Sequence, residues 1–213
     1  MLMNMTYRKS CALLVWTVLV LQYIIMLQSG EFGGWGVTTL TYLGYFTILT
    51  NILVALAFSV PFFKDTGRLK TFFQRQSVRA AIALYILVVC LVYYGVLAQI
   101  HETEGLSTVL NLGLHLILPG LYLVDWVVFA KKGAMSFKHL PMWTLYPIVY
   151  GLFVIIRGHL TGFYPYPFLN IDEIGLGRVT LIMFGFVCIY ALGGAGFIAL
   201  GRALTRRASA YQA

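Results

Sequence analysis

The chain has 213 residues, of which 60% are hydrophobic and only 10% charged, and its mean hydropathy is +0.85. No soluble domain of this length could cover so much apolar surface, so the composition excludes a soluble fold and points to an all-α polytopic membrane protein. The formal net charge of +8 would suggest a nucleic-acid partner in a soluble chain, but its distribution along the sequence accounts for it without nucleic acid.

A membrane helix needs about 20 apolar residues, and six stretches qualify: roughly 11–27, 38–61, 80–100, 107–130, 141–157 and 179–200. The connections between them are short, which predicts one six-helix transmembrane domain over 1–213. All of the 15 Lys and Arg except Arg157 and Arg178 fall before the first stretch, between the second and third, between the fourth and fifth, or after the sixth. By the positive-inside rule both termini are then cytoplasmic, and the expected location is the cell (plasma) membrane. Glu31, Glu102, Glu104, Asp172 and Glu173 fall on the opposite side.

The first stretch follows Arg8 and Lys9, as a signal peptide would. No small-x-small cleavage site comes after it, so it reads as an uncleaved span. Cys11, scattered inside a span like Cys90 and Cys188, has neither metal-ligand nor disulfide spacing.

The second stretch is rich in Thr and Tyr over its outer part and apolar from Ile52 to Val60. Thr47, Thr50 and Asn51 stand at i, i+3 and i+4, one helical face, and should point into the bundle. The third stretch carries Tyr93 and Tyr94, which read either as interfacial anchors or as pocket lining. His101, Glu102 and Glu104 form a solvated loop, and no metal is expected there.

The fourth stretch contains Asn111, Gly113, His115 and Pro119. An ionisable group in hydrocarbon costs about 2.5 kcal/mol or more, so His115 should face a cavity or a partner. Asn111, one turn before, can fix its tautomer, and Pro119 removes a backbone hydrogen bond one turn after. Asp125 lies about 15 Å further along the axis and reads as a structural partner for the basic inner segments. Counted from the outer helix ends, Thr47 and His115 both lie about 12–14 Å deep.

After the fifth stretch come Arg157, Gly158 and His159, then Tyr164-Pro165-Tyr166-Pro167-Phe168-Leu169. Two alternating prolines forbid a regular helix. The aromatic character predicts a lid, with Tyr164, Tyr166 and Phe168 near the mouth of a pocket and Arg157 close to Asp172, Glu173 or a lipid head group. The sixth stretch holds Gly193-Gly194-Ala195-Gly196, suited to close helix packing.

Phe46-Thr47 followed by Asn51, then Asn111-x-Gly113-x-His115-x-x-x-Pro119, then Tyr164 to Leu169, together resemble the androgen-induced and androgen-dependent integral membrane proteins with their FAR-17a-like bacterial relatives. The resemblance implies an intramembrane threonine hydrolase acting on fatty acid esters of hydroxy fatty acids, with Thr47 as nucleophile and His115 as the histidine. The chain departs from that pattern at Thr50, a competing nucleophile, and at Leu112, where animal members carry a histidine.

Read from the residues, the first function is hydrolysis of a lipid ester with a long acyl chain. His115 takes the Thr47 proton, Asn51 or Asn111 supplies an oxyanion donor, and no cofactor is required. The second is a lipid- or small-solute-binding or transport protein without catalysis. Against it stands the lack of an inverted repeat or of a Pro/Gly-broken helix pair at matching positions. A haem protein would need paired axial histidines on facing helices, and His115 has no such partner at its depth.

Overall fold

The computed structural model of the chain describes residues 2–64, 67–100, 103–129 and 135–210, with the side chains of 2, 3 and 206–210 excepted. The basic residues Lys131 and Lys132 and the His101–Glu102 pair, to which the sequence assigned loop positions, lie outside the described residues. Every regular element among the described residues is helical, as a chain surrounded by hydrocarbon requires, because a helix satisfies its own backbone groups. Among the described residues five helices are long and apolar enough to cross a membrane, or six if the bent pair Trp35–Tyr42 and Phe46–Phe62 counts as one span. The chain divides into two compact units, Met1–Lys131 and Lys132–Ala213.

The first unit contains α1 (Leu2–Gln28), α2 (Trp35–Tyr42), α3 (Phe46–Ser59), the short α4 (Arg68–Gln74), α5 (Gln76–Gly95), α6 (Leu106–Leu112) and α7 (Leu118–Phe129). Helix α3 is its centre, packed between α1 and α5, and α5 packs in turn on α7. Val15, Val54, Phe58, Leu84, Ile86, Leu118, Tyr122 and Trp126 form its fully buried core. The Phe58 and Tyr122 rings meet edge to face at 5.3 Å.

Two spans of this unit are interrupted, where the sequence predicts each to be one continuous helix. The second breaks between Tyr42 and Phe46, and α2 and α3 meet at 76°. Thr38 and Thr39 turn their hydroxyls back onto the carbonyls of Gly34 and Trp35, an alternative to the regular ladder. Helix α2 then ends, and Tyr45 stands in extended conformation with φ −86° and ψ 129°. The fourth span runs from α6 to α7 through one π-helical turn, Gly113–Ile117. Leu118 gives its N–H to Gly113, five residues back, instead of Leu114. Pro119 follows directly and has no N–H to donate. The register shift moves the ladder around the proline without breaking the helix.

The second unit is α8 (Leu140–Thr161) packed on α10 (Leu176–Ala210), with the four-residue α9 (Ile171–Ile174) between them. Both long helices extend past the boundaries expected from sequence. Arg157 and Arg178, which flank the loop between the fifth and sixth stretches in the sequence, both fall inside helices, since a long basic side chain can leave its stem in an apolar setting and carry its charge outward. Helix α8 stops at Gly162, whose φ of 72° only glycine adopts without strain.

Candidate functional site

The break in span two and the π turn in span four meet at one hydrogen bond. Thr47 is the second residue of α3, His115 is the middle residue of the π turn, and Thr47 Oγ1 lies 3.3 Å from His115 Nε2. The other ring nitrogen, Nδ1, is 2.9 Å from the backbone carbonyl of Asn111. A carbonyl only accepts, so Nδ1 carries the proton and Nε2 faces Thr47 with its lone pair. Asn111 thus sets the tautomer through its main chain. Its side-chain amide instead donates to the hydroxyl of Tyr93.

Tyr93 lies face to face with the imidazole, ring centroids 3.8 Å apart and 17° from parallel. The sequence left this tyrosine between anchor and pocket wall. It is buried and stacked on His115, while its neighbour Tyr94 is exposed and touches it edge-on. An aromatic residue in an apolar run does not show which ring it will stack on.

Asn51 ties the two interruptions together. Its Nδ2 donates to the Thr47 carbonyl at 2.9 Å and to the Leu114 carbonyl at 3.2 Å. Asn51 Oδ1 and Thr50 Oγ1, both on fully buried side chains, have no hydrogen-bond partner. Buried polar atoms are nearly always paired, so the site holds unused capacity for a ligand's polar group. His115 is joined to Thr47 and not to Thr50, which separates the two candidate nucleophiles. Thr47 stands in the first turn of α3, at the positive end of the helix dipole.

The remaining predicted site residues lie in the second unit, and the contacts that fix them are internal to it. Arg157 sits over the Phe163 ring at 5.2 Å. Asp172, expected near Arg157, is engaged by His159 Nδ1 at 3.1 Å and by the Tyr164 hydroxyl at 2.9 Å. These contacts hold the Asp172 carboxyl below its ordinary range, the hydrogen bond from His159 contributing most. The Tyr166 and Phe168 rings stack at 5.3 Å, and Phe168 reaches Phe186 on α10. A small cavity lined by Pro147, Met183 and Tyr190 lies between α8 and α10. Among the described residues no group of three His, Cys, Asp or Glu side chains is placed to hold a metal ion.

A family model described as Transmembrane proteins 230/134 matches residues 65–143, which run from α4 through α7 to the start of α8. No curated protein and no solved structure matches the chain. The match corrects the resemblance to the androgen-induced and androgen-dependent proteins, since the family found is a different one. Short polar signatures spaced along apolar helices carried that resemblance, and such spacings recur wherever helices of a bundle share hydrogen bonds. With its apolar helices, the chain is an integral membrane protein.

Proposed function

We propose that the chain is a membrane protein that binds a lipid or small solute at the junction of its two interrupted spans, without chemistry on the ligand. The observation that carries this reading is the meeting of the α2–α3 break and the Gly113–Ile117 π turn at Thr47 and His115. Helices interrupted within the membrane are the usual way to present polar backbone and side-chain groups to a bound solute. The sequence offers no inverted repeat and no Pro/Gly-broken pair at matching positions; the two interruptions that support binding instead lie in the second and fourth spans. Thr47, Thr50, Asn51 and Asn111 are uncharged, so the site suits a head group that is neutral and hydrogen-bonding, such as an ester, amide or hydroxyl, on an apolar chain. The protein sits in the cell membrane with both termini cytoplasmic.

One specific observation favours a second reading, hydrolysis of a long-chain ester. The tautomer set by Asn111 leaves His115 Nε2 as an acceptor 3.3 Å from the Thr47 hydroxyl, the arrangement of a base beside a nucleophile. In that reading Thr47 attacks the ester carbonyl as Nε2 takes its proton. The alcohol then leaves with that proton, and water frees the acyl group. A single experiment separates the two readings. The purified protein is reconstituted with a fluorescent long-chain ester, and bound ester and released acid are measured for wild type, Thr47→Ala and His115→Ala. Binding that weakens in both variants, with no acid released by wild type, supports the binding protein. Acid released by wild type and by neither variant supports the hydrolase. Equal binding by all three, without release, removes both.

A further inference from the structure

A second polar cluster lies in the first unit, apart from Thr47 and His115. Asp125 on α7 is completely buried. Arg8 of α1 donates Nε to its Oδ1 at 2.7 Å and Nη2 to its Oδ2 at 3.4 Å, and Arg79 of α5 donates Nη2 to the same Oδ2. The sequence expected Asp125 to serve basic inner segments, and these two arginines are the partners. Both carboxylate oxygens are therefore occupied. An arginine stays charged in any protein setting, so two guanidiniums on one carboxylate leave one positive charge in a largely buried place.

The groups left over are donors. Arg79 Nε is buried without a hydrogen-bond partner, and so is the hydroxyl of Tyr122, itself fully buried. The Arg79 guanidinium lies close to the Tyr122 phenol, whose own O–H finds no acceptor. Access is from the arginine side, because the Arg8 and Arg79 side chains are 11% and 12% exposed while Asp125 is sealed. Lys9 and Arg75, both exposed, lie next to Arg8 and one turn before Arg79 and add positive charge on the same two helix starts. Arg8, Arg79 and Asp125 each lie within two turns of a helix end, a depth a head group can reach.

We propose that Arg8, Arg79 and Tyr122 form a binding site for one phosphate monoanion, either the phosphodiester of an anionic lipid or free phosphate. A single negative charge balances the surplus arginine. Phosphate oxygens accept from Arg79 Nε and the Tyr122 hydroxyl, two buried donors of the cluster that have no partner in the protein.

The test uses the full chain in lipid nanodiscs. In one arm phosphatidylglycerol is added to phosphatidylcholine discs and the lipids retained by the protein are weighed by native mass spectrometry. In the other, inorganic phosphate is titrated into phosphatidylcholine discs and the thermal unfolding midpoint is followed. The site predicts a preference for phosphatidylglycerol if its ligand is a lipid, or a rise in midpoint with phosphate if its ligand is the free ion. Tyr122→Phe removes one donor and should weaken that response about tenfold, the usual effect of losing a hydrogen bond to a charged group. Its midpoint in phosphatidylcholine alone should stay unchanged. Arg79→Gln leaves the Arg8–Asp125 pair neutral and should abolish the response. A wild type indifferent to both ligands overturns the proposal, as does a response that Tyr122→Phe and Arg79→Gln leave intact.

Discussion

The carbonyl of Leu114 has no backbone donor, because Leu118 gives its N–H to Gly113 and Pro119 has none to give. Asn51 fills the gap from α3, which makes this amide a structural residue of the site. Asn51→Leu should cost about 1–3 kcal/mol of stability, the penalty of a buried polar group left unpaired, measured as a lowered unfolding midpoint in detergent. Thr50→Val should be neutral to within about 0.5 kcal/mol, since Thr50 Oγ1 bonds to nothing in the protein. It should nevertheless weaken ligand binding. A Thr50→Val variant as unstable as Asn51→Leu would mean that the hydroxyl is already used inside the bundle. Thr47, Asn51 and His115 were legible in the sequence because a polar residue in an apolar run must find a partner. Tyr93 was legible only as one of a pair, anchor or pocket lining; its stacking on His115 was not, because a buried tyrosine is as apolar in pattern as its neighbours. The main-chain role of Asn111 was also hidden, since no sequence pattern reports which carbonyl a ring nitrogen reaches.

At the scale of elements, the π turn aims His115 at Thr47. Deleting Leu116, which is exposed, should collapse the wide turn to α-helical spacing and move His115 away from Thr47. Helical content by circular dichroism should be kept while ligand binding is lost. Retained binding would mean that the turn is incidental. In the second unit, a Cβ at Gly158 would come within 2.2 Å of the Tyr164 ring. Gly158→Ala should push that ring off Asp172 and lower stability by about 1–3 kcal/mol, as overpacking does. The Asp172 contacts also give a pH dependence. A carboxyl held below its ordinary value of 3.8 stabilises the turn at any pH above that value, and the contribution disappears as pH falls through the lowered pKa. Hydrogen exchange over residues 163–175 should therefore quicken only in strong acid, and Asp172→Asn should show the faster exchange at neutral pH. The spans were legible from hydropathy. Their interruptions were not, because an apolar average runs straight across Leu43–Tyr45 and Gly113–Ile117. Gly44 and the proline after His115 were the local signs.

At the scale of the whole molecule, the charge asymmetry that places the spans also predicts their sidedness. Reporter fusions at residue 213 and between residues 101 and 106 should read opposite faces of the membrane, with the C-terminus cytoplasmic. The most direct measurement of ligand binding at the interrupted spans is photocrosslinking. A diazirine-bearing long-chain ester is illuminated with the reconstituted protein, and the labelled peptides are sequenced. The account predicts label on α3 around Thr47–Asn51 and on the turn around Gly113–Ile117, competed by unlabelled ester and lost in His115→Ala. Label confined to lipid-exposed positions such as Leu181 and Leu192, unchanged in that variant, would contradict it.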